Sequence, residues 1–165
     1  MDLRTLLGER RLLAIVRGRH GASVLETVLT LAREGVDLIE VSLTSDQALE
    51  VISRARAELG PETTLGAGTV VTAQDARAAH AAGAEFIVTP GLGEAVPVAR
   101  GLGLPTVVGA LTPSEVIAAR AAGADAVKLF PASASRPRTM ATSRRSRSRA
   151  SRSMEISSFR SGGTR

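Results

Sequence analysis

Six short apolar runs alternate along the chain with segments of helical pattern, and this alternation limits the possible folds more than any other feature. The runs comprise residues 12–17, 36–43, 64–70, 85–90, 106–111 and 125–131. They are nearly continuous in apolar residues, which is typical of parallel strands buried on both faces. The segments between them place apolar residues on one helical face, as at Ala48, Val51, Ile52, Ala55 and Leu59. The sequence therefore predicts an α/β fold, either a (β/α) barrel or a doubly wound sheet.

Capping residues mark the expected helix boundaries. Ser23 and Glu26, like Thr72 and Asp75, have the spacing of an N-cap and the third helical residue, and Thr112-Pro-Ser-Glu115 adds a proline at the first helical position. Helices are expected to end near five glycines: Gly35, Gly60, Gly83, Gly103 and Gly123. These signals define six β-α units.

One segment of the chain is repeated. Ala81-Ala-Gly-Ala-Glu85 is echoed 40 residues later by Ala121-Ala-Gly-Ala-Asp125, and each copy precedes an apolar run. The spacing corresponds to two β-α units. A closed barrel of this type has eight strands, so six units predict a partial barrel in residues 1–133.

The composition changes abruptly after residue 133. Residues 134–165 contain nine serines, nine arginines and one acid, whereas residues 1–133 carry 12 basic and 15 acidic side chains. The tail shows no strand-like run and is expected to be disordered. Two other interpretations are a nucleic-acid-binding arm, which the scarcity of aromatic residues disfavours, and an out-of-frame translation of GC-rich coding sequence, which the mixture of residues favours.

Several classes of site are excluded or disfavoured by composition. The chain has no cysteine, which rules out disulfides and thiolate chemistry, and two histidines, His20 and His80, which disfavour a histidine-rich metal site or a catalytic triad. No apolar run reaches the length of about 18 residues that a membrane span needs. We therefore expect a soluble cytoplasmic protein without a metal or cofactor.

Lysine occurs once, at Lys128 in the last apolar run, while the other 20 basic residues are arginines. Arginine does not lose its proton in proteins, whereas a desolvated lysine can, and the free amine then attacks carbonyl groups. Retention of a single lysine is also explained by chance in a GC-rich coding sequence. Its position in a buried strand favours a chemical role.

Other polar residues fall at the carboxyl ends of the predicted strands, where barrel enzymes collect their catalytic groups. Arg17, Glu40, Thr69 and Pro90 have this placement together with Lys128. A carboxylate inside an apolar strand needs a partner. Glu40 is therefore either part of a structural ion pair with an arginine or lysine, or a general acid/base beside a nucleophilic lysine.

Glycines flank the strand end near Thr69. In Gly66-Ala-Gly-Thr-Val70 the missing side chains would let a ligand approach the backbone, and Thr69 offers a hydroxyl. Tight packing between a helix and the strand explains the glycines equally well.

Five segments carry a resemblance to a known family. They are Ala14-Ile-Val-Arg-Gly18, Ile39-Glu-Val-Ser-Leu43, Gly66-Ala-Gly-Thr-Val70, Phe86-Ile-Val-Thr-Pro-Gly91 and Val127-Lys-Leu-Phe-Pro131. In this order and spacing, over residues 11–133, they resemble 2-keto-3-deoxy-6-phosphogluconate (KDPG) aldolases, a family that includes the 6-phosphogalactonate and 4-hydroxy-2-oxoglutarate (KHG) aldolases.

This resemblance implies a class I aldolase on a (β/α)8 TIM barrel, an aldehyde-lyase that is usually trimeric and metal-free. By motif, Lys128 forms a Schiff base with the C2 carbonyl of a 2-keto acid, and Glu40 moves the protons. Thr69 holds the carboxylate of the pyruvyl group, and Pro90 and Phe130 shape the pocket. Cleavage yields pyruvate and an aldehyde.

The chain departs from the family pattern at two places. Many gluconate-type members have arginine where this chain has Thr44, and Arg17 on the first strand is the alternative carboxylate ligand, as in members resembling the galactonate type. The resemblance places the family's phosphate site in a Gly-Gly turn after strand seven and the loop after strand eight, and neither strand is recognisable in this sequence. The resemblance therefore implies an aldolase sequence truncated or frame-shifted after about residue 134, with apolar edges exposed on strands one and six, a tendency to aggregate and impaired activity.

Two alternatives remain at this level. A sugar-phosphate epimerase or isomerase would use Glu40 as its base and Lys128 as an electrostatic partner. A non-enzymatic protein would bind nucleic acid through the basic tail. Schiff-base formation separates the aldolase from both.

Overall fold

The computed structural model describes residues 2–135 and a strand at Glu155–Ser158. The helices are α1 (Leu3–Arg10), α2 (Gly21–Arg33), α3 (Ala48–Glu58), α4 (Ala73–Ala81), α5 (Ala95–Gly101) and α6 (Pro113–Ala121), with a 3₁₀ turn at Ala132–Ser135. The strands are β1 (Leu12–Val16), β2 (Leu38–Ser42), β3 (Thr64–Gly68), β4 (Ile87–Thr89), β5 (Thr106–Ala110), β6 (Ala126–Leu129) and β7 (Glu155–Ser158). Within the described part, no helix has the length and apolar character needed to cross a membrane.

Strands β1 to β6 are parallel and lie side by side in chain order, so the predicted six β-α units are confirmed. They form a curled partial (β/α) barrel rather than a doubly wound sheet. Every residue of β2, β3 and β5 is buried, as expected for strands covered on both faces. Burial falls at β6, whose outer edge has no neighbouring strand among the described residues.

Strand β7 corrects the expectation that the tail contains no strand. It pairs antiparallel with β1, with Leu13 opposite Ser157 and Ile15 opposite Glu155, and so covers an edge expected to be open. The unpaired N–H and C=O groups of an edge strand can form hydrogen bonds with the backbone of any extended segment. This pairing needs no pattern of apolar side chains. The serine-rich composition therefore gave no signal of it. The predicted disorder of the tail otherwise concerns residues outside the described part.

Apolar clusters lie on both faces of the curled sheet. The outer clusters join the sheet to the surrounding helices. The inner core fills the concave side and combines Leu3 and Leu7 of α1 with Leu13, Leu38, Phe86, Val88 and Val107 of the strands. Helix α1 therefore packs inside the partial barrel against these strand residues. The strand residues of the inner core also show which side chains point inward.

Some of the strand side chains that point into the partial barrel are polar, and they lie above the inner core. Side chains two residues apart on a strand share a face, so Glu40 and Ser42 follow Leu38 into the interior of β2. By the same alternation Lys128 follows Ala126, which packs against the inner core from β6. The fold thus places an apolar layer below and a polar layer towards the carboxyl ends of the strands.

The repeated segment has a structural explanation in its acidic residues. Glu85 Oε2 accepts the backbone N–H of Leu65 at 3.0 Å, and Asp125 Oδ2 accepts that of Thr106 at 2.8 Å. Each carboxylate therefore ties the start of one strand to the strand before it. These equivalent bonds account for an acid at the same position of both copies.

Contacts with neighbouring arginine side chains give a second reason why glycine occupies the same position in both copies of the repeat. Gly83 and Gly123 end α4 and α6 with φ of +94° and +83°, which favours glycine. A Cβ at Gly123 would overlap the guanidinium of Arg100, and one at Gly83 would lie 3.1 Å from the side chain of Arg56. Both copies of the repeat therefore share a positive-φ glycine at the helix end and a close contact between that glycine and an arginine side chain.

The helix starts were predicted in two of the three strongest cases. Capping boxes form at Thr72 and at Thr112, as their spacing predicts. The predicted start near Ser23 is wrong, because α2 begins at Gly21 after His20. Gly21 packs against the β2–α3 loop, where the absence of Cβ leaves room for the side chain of Gln47. A contact between distant segments therefore sets this start.

The capping box of α4 gives a pH-dependent prediction. The backbone N–H of Thr72 is the main cause that holds the pKa of Asp75 below its usual value, with further hydrogen bonds from the Thr72 hydroxyl and from Val71. The stabilisation is therefore present above about pH 3.9 and is lost as the pH falls through the lower folded pKa. Asp75→Asn should reduce the free energy of unfolding at pH 7 by about 0.5 kcal/mol, a small value because the carboxylate is solvent-screened.

Urea unfolding followed by circular dichroism at pH 7 and pH 3 measures this effect. The difference between the wild type and Asp75→Asn should shrink at pH 3. An equal difference at both pH values would show that the charge of Asp75 contributes nothing.

The open side of β6 and α6 gives a second prediction. Ile117 on α6 is 70% exposed and Leu129 on β6 is 56% exposed, although both are large apolar side chains. Ile117→Lys should lower light scattering about threefold at a fixed protein concentration, because it places a charge in an exposed apolar face. Ala118→Lys is the matched control, since it adds the same charge at an exposed position of the same helix. Equal effects of both variants would assign the change to net charge.

Candidate active site

Glu40 lies inside the partial barrel with 1% of its surface exposed. On the neighbouring strand, a Cβ at Gly68 would overlap the Glu40 carboxylate, and a Cβ at Gly66 would overlap the ring of Phe86. The two glycines were expected to make room for a ligand or for tight packing with a helix. They instead make room for Glu40 and Phe86, so the carboxylate lies across β3 in space that another residue type would fill.

Lys128 lies on β6 and is half-buried. It is paired in register with Gly109 of β5, and its Nζ lies 5.0 Å from the centroid of the Phe130 ring, a cation–π distance. Phe130 is itself 43% exposed, so it covers Lys128 from one side while remaining open to solvent. A Cβ at Gly109 would overlap the carbonyl oxygen of Pro90. The absence of a side chain at Gly109 therefore lets the end of β4 lie close to β5.

Three strand ends are joined by the hydroxyl of Ser42, which is fully buried. The Nε–H of Arg17 donates to Ser42 Oγ at 3.3 Å. The same oxygen lies 2.9 Å from Thr44 Oγ1 and 2.9 Å from Thr69 Oγ1. Arg17 and Thr69, both predicted as site residues, are therefore connected through a residue that sequence reasoning missed. Its position two residues after Glu40, polar within a buried strand, is the signal that could have identified it.

Thr69 has a left-handed backbone, with φ of +58°. This conformation is rare for a β-branched residue and costs about 1–2 kcal/mol. The conformation sets the Thr69 hydroxyl beside Ser42 at the carboxyl end of β3. Strain of this kind gathers at functional sites, and it could not be read from the sequence.

The six predicted site residues form two groups in the structure. Arg17, Glu40 and Thr69 belong to β1–β3 and their ends, and the first and last share Ser42. Pro90, Lys128 and Phe130 belong to the ends of β4 and to β6. All six lie on the strands or just after them.

The histidines take no part in these contacts. His80 lies exposed on α4, and His20 lies exposed at the start of α2. Within residues 2–135 and 155–158, no group of three or more His, Asp or Glu side chains is arranged to hold a metal ion.

The overlap of Glu40 with position 68 gives a test of the packing. Gly68→Ala should lower the free energy of unfolding by about 1–3 kcal/mol, because the new methyl group collides with a buried carboxylate. In a Glu40→Ala background the same substitution should cost much less, since the collision is gone. Urea unfolding of the four proteins gives the coupling energy.

Gly8→Ala is the control, because nothing lies within 4 Å of a Cβ at this position of α1. It should be neutral or stabilise by up to about 1 kcal/mol. Equal costs of Gly68→Ala in both backgrounds would refute the proposed contact between the two positions.

Comparison with known proteins gives a consistent result. A match to the family described as KDPG and KHG aldolase spans residues 3–141. A 2-dehydro-3-deoxy-phosphogluconate aldolase of Haemophilus influenzae is 34% identical over 130 residues, which are 78% of this chain and 61% of that protein. The chain thus spans about three fifths of the length of this relative.

Two solved structures share the fold. The 2-keto-3-deoxy-6-phosphogluconate aldolase of Zymomonas mobilis is 27% identical with a TM-score of 0.70, covering 79% of this chain and 63% of that one. A KDPG aldolase of Legionella pneumophila, with pyruvate captured as a covalent carbinolamine intermediate, is 28% identical with a TM-score of 0.65, covering 74% and 59%.

Proposed function

Since the chain belongs to the KDPG and KHG aldolase family, we propose that residues 1–133 carry the imine-forming half of a class I aldolase site. The observation that supports this most is the placement of the single lysine. Lys128 lies half-buried on β6, in a sheet whose interior also holds the buried carboxylate of Glu40. The covalent carbinolamine of pyruvate in the Legionella relative supports the same chemistry.

The proposed reaction begins at the amine of Lys128. Its neutral form attacks the C2 carbonyl of a 2-keto acid, and the carbinolamine loses water to give an iminium ion. The iminium accepts the electron pair of the C3–C4 bond, while the C4 hydroxyl loses its proton and leaves as an aldehyde. The resulting enamine takes a proton at C3, and water releases pyruvate and the amine. Glu40 is proposed as the group that moves these protons.

Arg17 and Thr69 are proposed as the carboxylate ligands of the keto acid. Arginine recognises a carboxylate through charge-assisted hydrogen bonds, and a hydroxyl adds a further donor. Pro90 and Phe130 are proposed to shape the pocket around the reacting carbons. The substrate class is a 2-keto-3-deoxy-6-phospho sugar acid or 4-hydroxy-2-oxoglutarate.

The family match disfavours the epimerase or isomerase and the nucleic-acid-binding alternatives. A homotrimer, a cytoplasmic location and the absence of a cofactor stay predictions. The same holds for the division into an aldolase-like region and a separate tail after residue 133.

Borohydride trapping tests the proposed chemistry. The protein is incubated with pyruvate, reduced with sodium borohydride and mapped by mass spectrometry. We expect the main adduct on Lys128, the single lysine of the chain. Lys128→Arg should reduce trapping at least about 100-fold, since arginine keeps the charge but forms no imine.

The N-terminal amine is the internal reference, because it is the only other primary amine of the chain. An adduct confined to the N-terminus of folded protein, unchanged in Lys128→Arg, would refute imine formation at Lys128.

A further inference from the structure

The hydroxyl of Ser42 makes three hydrogen-bond contacts but has one proton to donate. Its oxygen has one proton to donate and two lone pairs to accept. The Nε–H of Arg17 can only donate, so it takes one lone pair. Thr44 and Thr69 then share the remaining proton and lone pair of Ser42. One threonine must donate to Ser42, and the other must accept from it.

Two proton arrangements satisfy these contacts. If Thr69 donates to Ser42, its only proton is used inside the protein. If Thr44 donates, Ser42 donates to Thr69, and the proton of Thr69 is left to donate elsewhere. Only the second arrangement makes Thr69 a hydrogen-bond donor for an anion.

We propose that Ser42 and Thr44 are positioning residues that orient the hydroxyl proton of Thr69 towards the carboxylate of the keto-acid substrate. The proposal rests on the proposed function, because it concerns the same site. It assigns a task to Thr44, the position at which the resemblance implies arginine in many gluconate-type members. In this proposal both residues act through Thr69 and not on the reacting carbons.

Several contacts hold the hydrogen-bonded series Thr44–Ser42–Thr69, called the relay below, in place. Ser42 is fully buried, and the left-handed backbone of Thr69 holds its hydroxyl against Ser42. The backbone N–H of Gly18 donates to Ser45 Oγ at 3.2 Å, which ties the segment after Arg17 to the segment after β2. With Nε bound to Ser42, the terminal nitrogens of Arg17 carry its four other N–H donors. The carboxylate would therefore meet an arginine fork and an oriented hydroxyl.

This arrangement predicts selectivity for a keto acid over a neutral ketone. Pyruvate and acetone can both form an imine with an amine, but only pyruvate has a carboxylate. Loss of the relay should weaken pyruvate relative to acetone. A merely structural role of the two residues would weaken both ketones equally.

The test measures the concentration of each ketone that gives half-maximal borohydride trapping on Lys128. In Thr44→Val, which removes the hydroxyl at an exposed position and preserves the shape, the ratio of the pyruvate value to the acetone value should rise about tenfold. Thr44→Ser keeps a hydroxyl and should restore the ratio to within about twofold of the wild type. Ser42→Ala should raise the ratio at least as much as Thr44→Val, and Ser42→Thr should restore part of it.

A second measurement separates this proposal from the imine chemistry. In a Lys128→Arg background pyruvate binds without an imine, and its affinity is measured by titration calorimetry. Adding Thr44→Val should weaken that binding about tenfold, while adding Thr44→Ser should not. If the wild type forms no imine but this difference persists, the proposed function fails and the relay stands. Unchanged pyruvate binding and an unchanged ketone ratio would overturn the relay.

Discussion

The position of Glu40 across Gly68 sets the register on which the rest of the site depends. A buried carboxylate needs room, and here the room exists only because β3 has no Cβ at residue 68. Strands β2 and β3 pair with Ser42 opposite Gly68. A slip of one residue would turn Ile39 and Val41 inward and drive Glu40 into the apolar layer beneath the helices. The apolar inner core and the polar layer above it therefore follow from one alignment.

The two sides of the site differ in how well they are enclosed. Glu40 lies among fully buried strands, whereas Lys128 lies on β6, where burial declines towards the open edge. A lysine nucleophile works best where water is excluded, because desolvation favours the neutral amine. Phe130 shields it from one side only. The part of the proposed site around Glu40 is thus more fully enclosed than the part around Lys128, so the open edge of the partial barrel lies at the proposed nucleophile.

Local signals and long-range contacts explain which features the sequence revealed. The six parallel strands and the capping boxes at Thr72 and Thr112 follow from patterns within a few residues, so they were predictable. The start of α2 at Gly21 depends on Gln47, and β7 depends on the backbone of β1, so neither was. The same division holds in the site. Strand-end positions led to the prediction of Arg17, Glu40, Thr69 and Lys128 as site residues, which stays a prediction, whereas the hydrogen bonds of Ser42 connect three strands and could not be read from one.

The hydroxyl at Thr44 changes how an anion would be held. The resemblance implies arginine at this position in many gluconate-type members, where it would add a guanidinium for the carboxylate. Here a neutral hydroxyl stands at this position, and Arg17 is the guanidinium proposed to bind the carboxylate. A charge attracts an anion from a distance, whereas a hydroxyl acts only at hydrogen-bond distance and only when its proton points the right way. In the proposed site, recognition would therefore depend more on the orientation of protons, and Ser42 Oγ is the atom through which that orientation would be passed to Thr69.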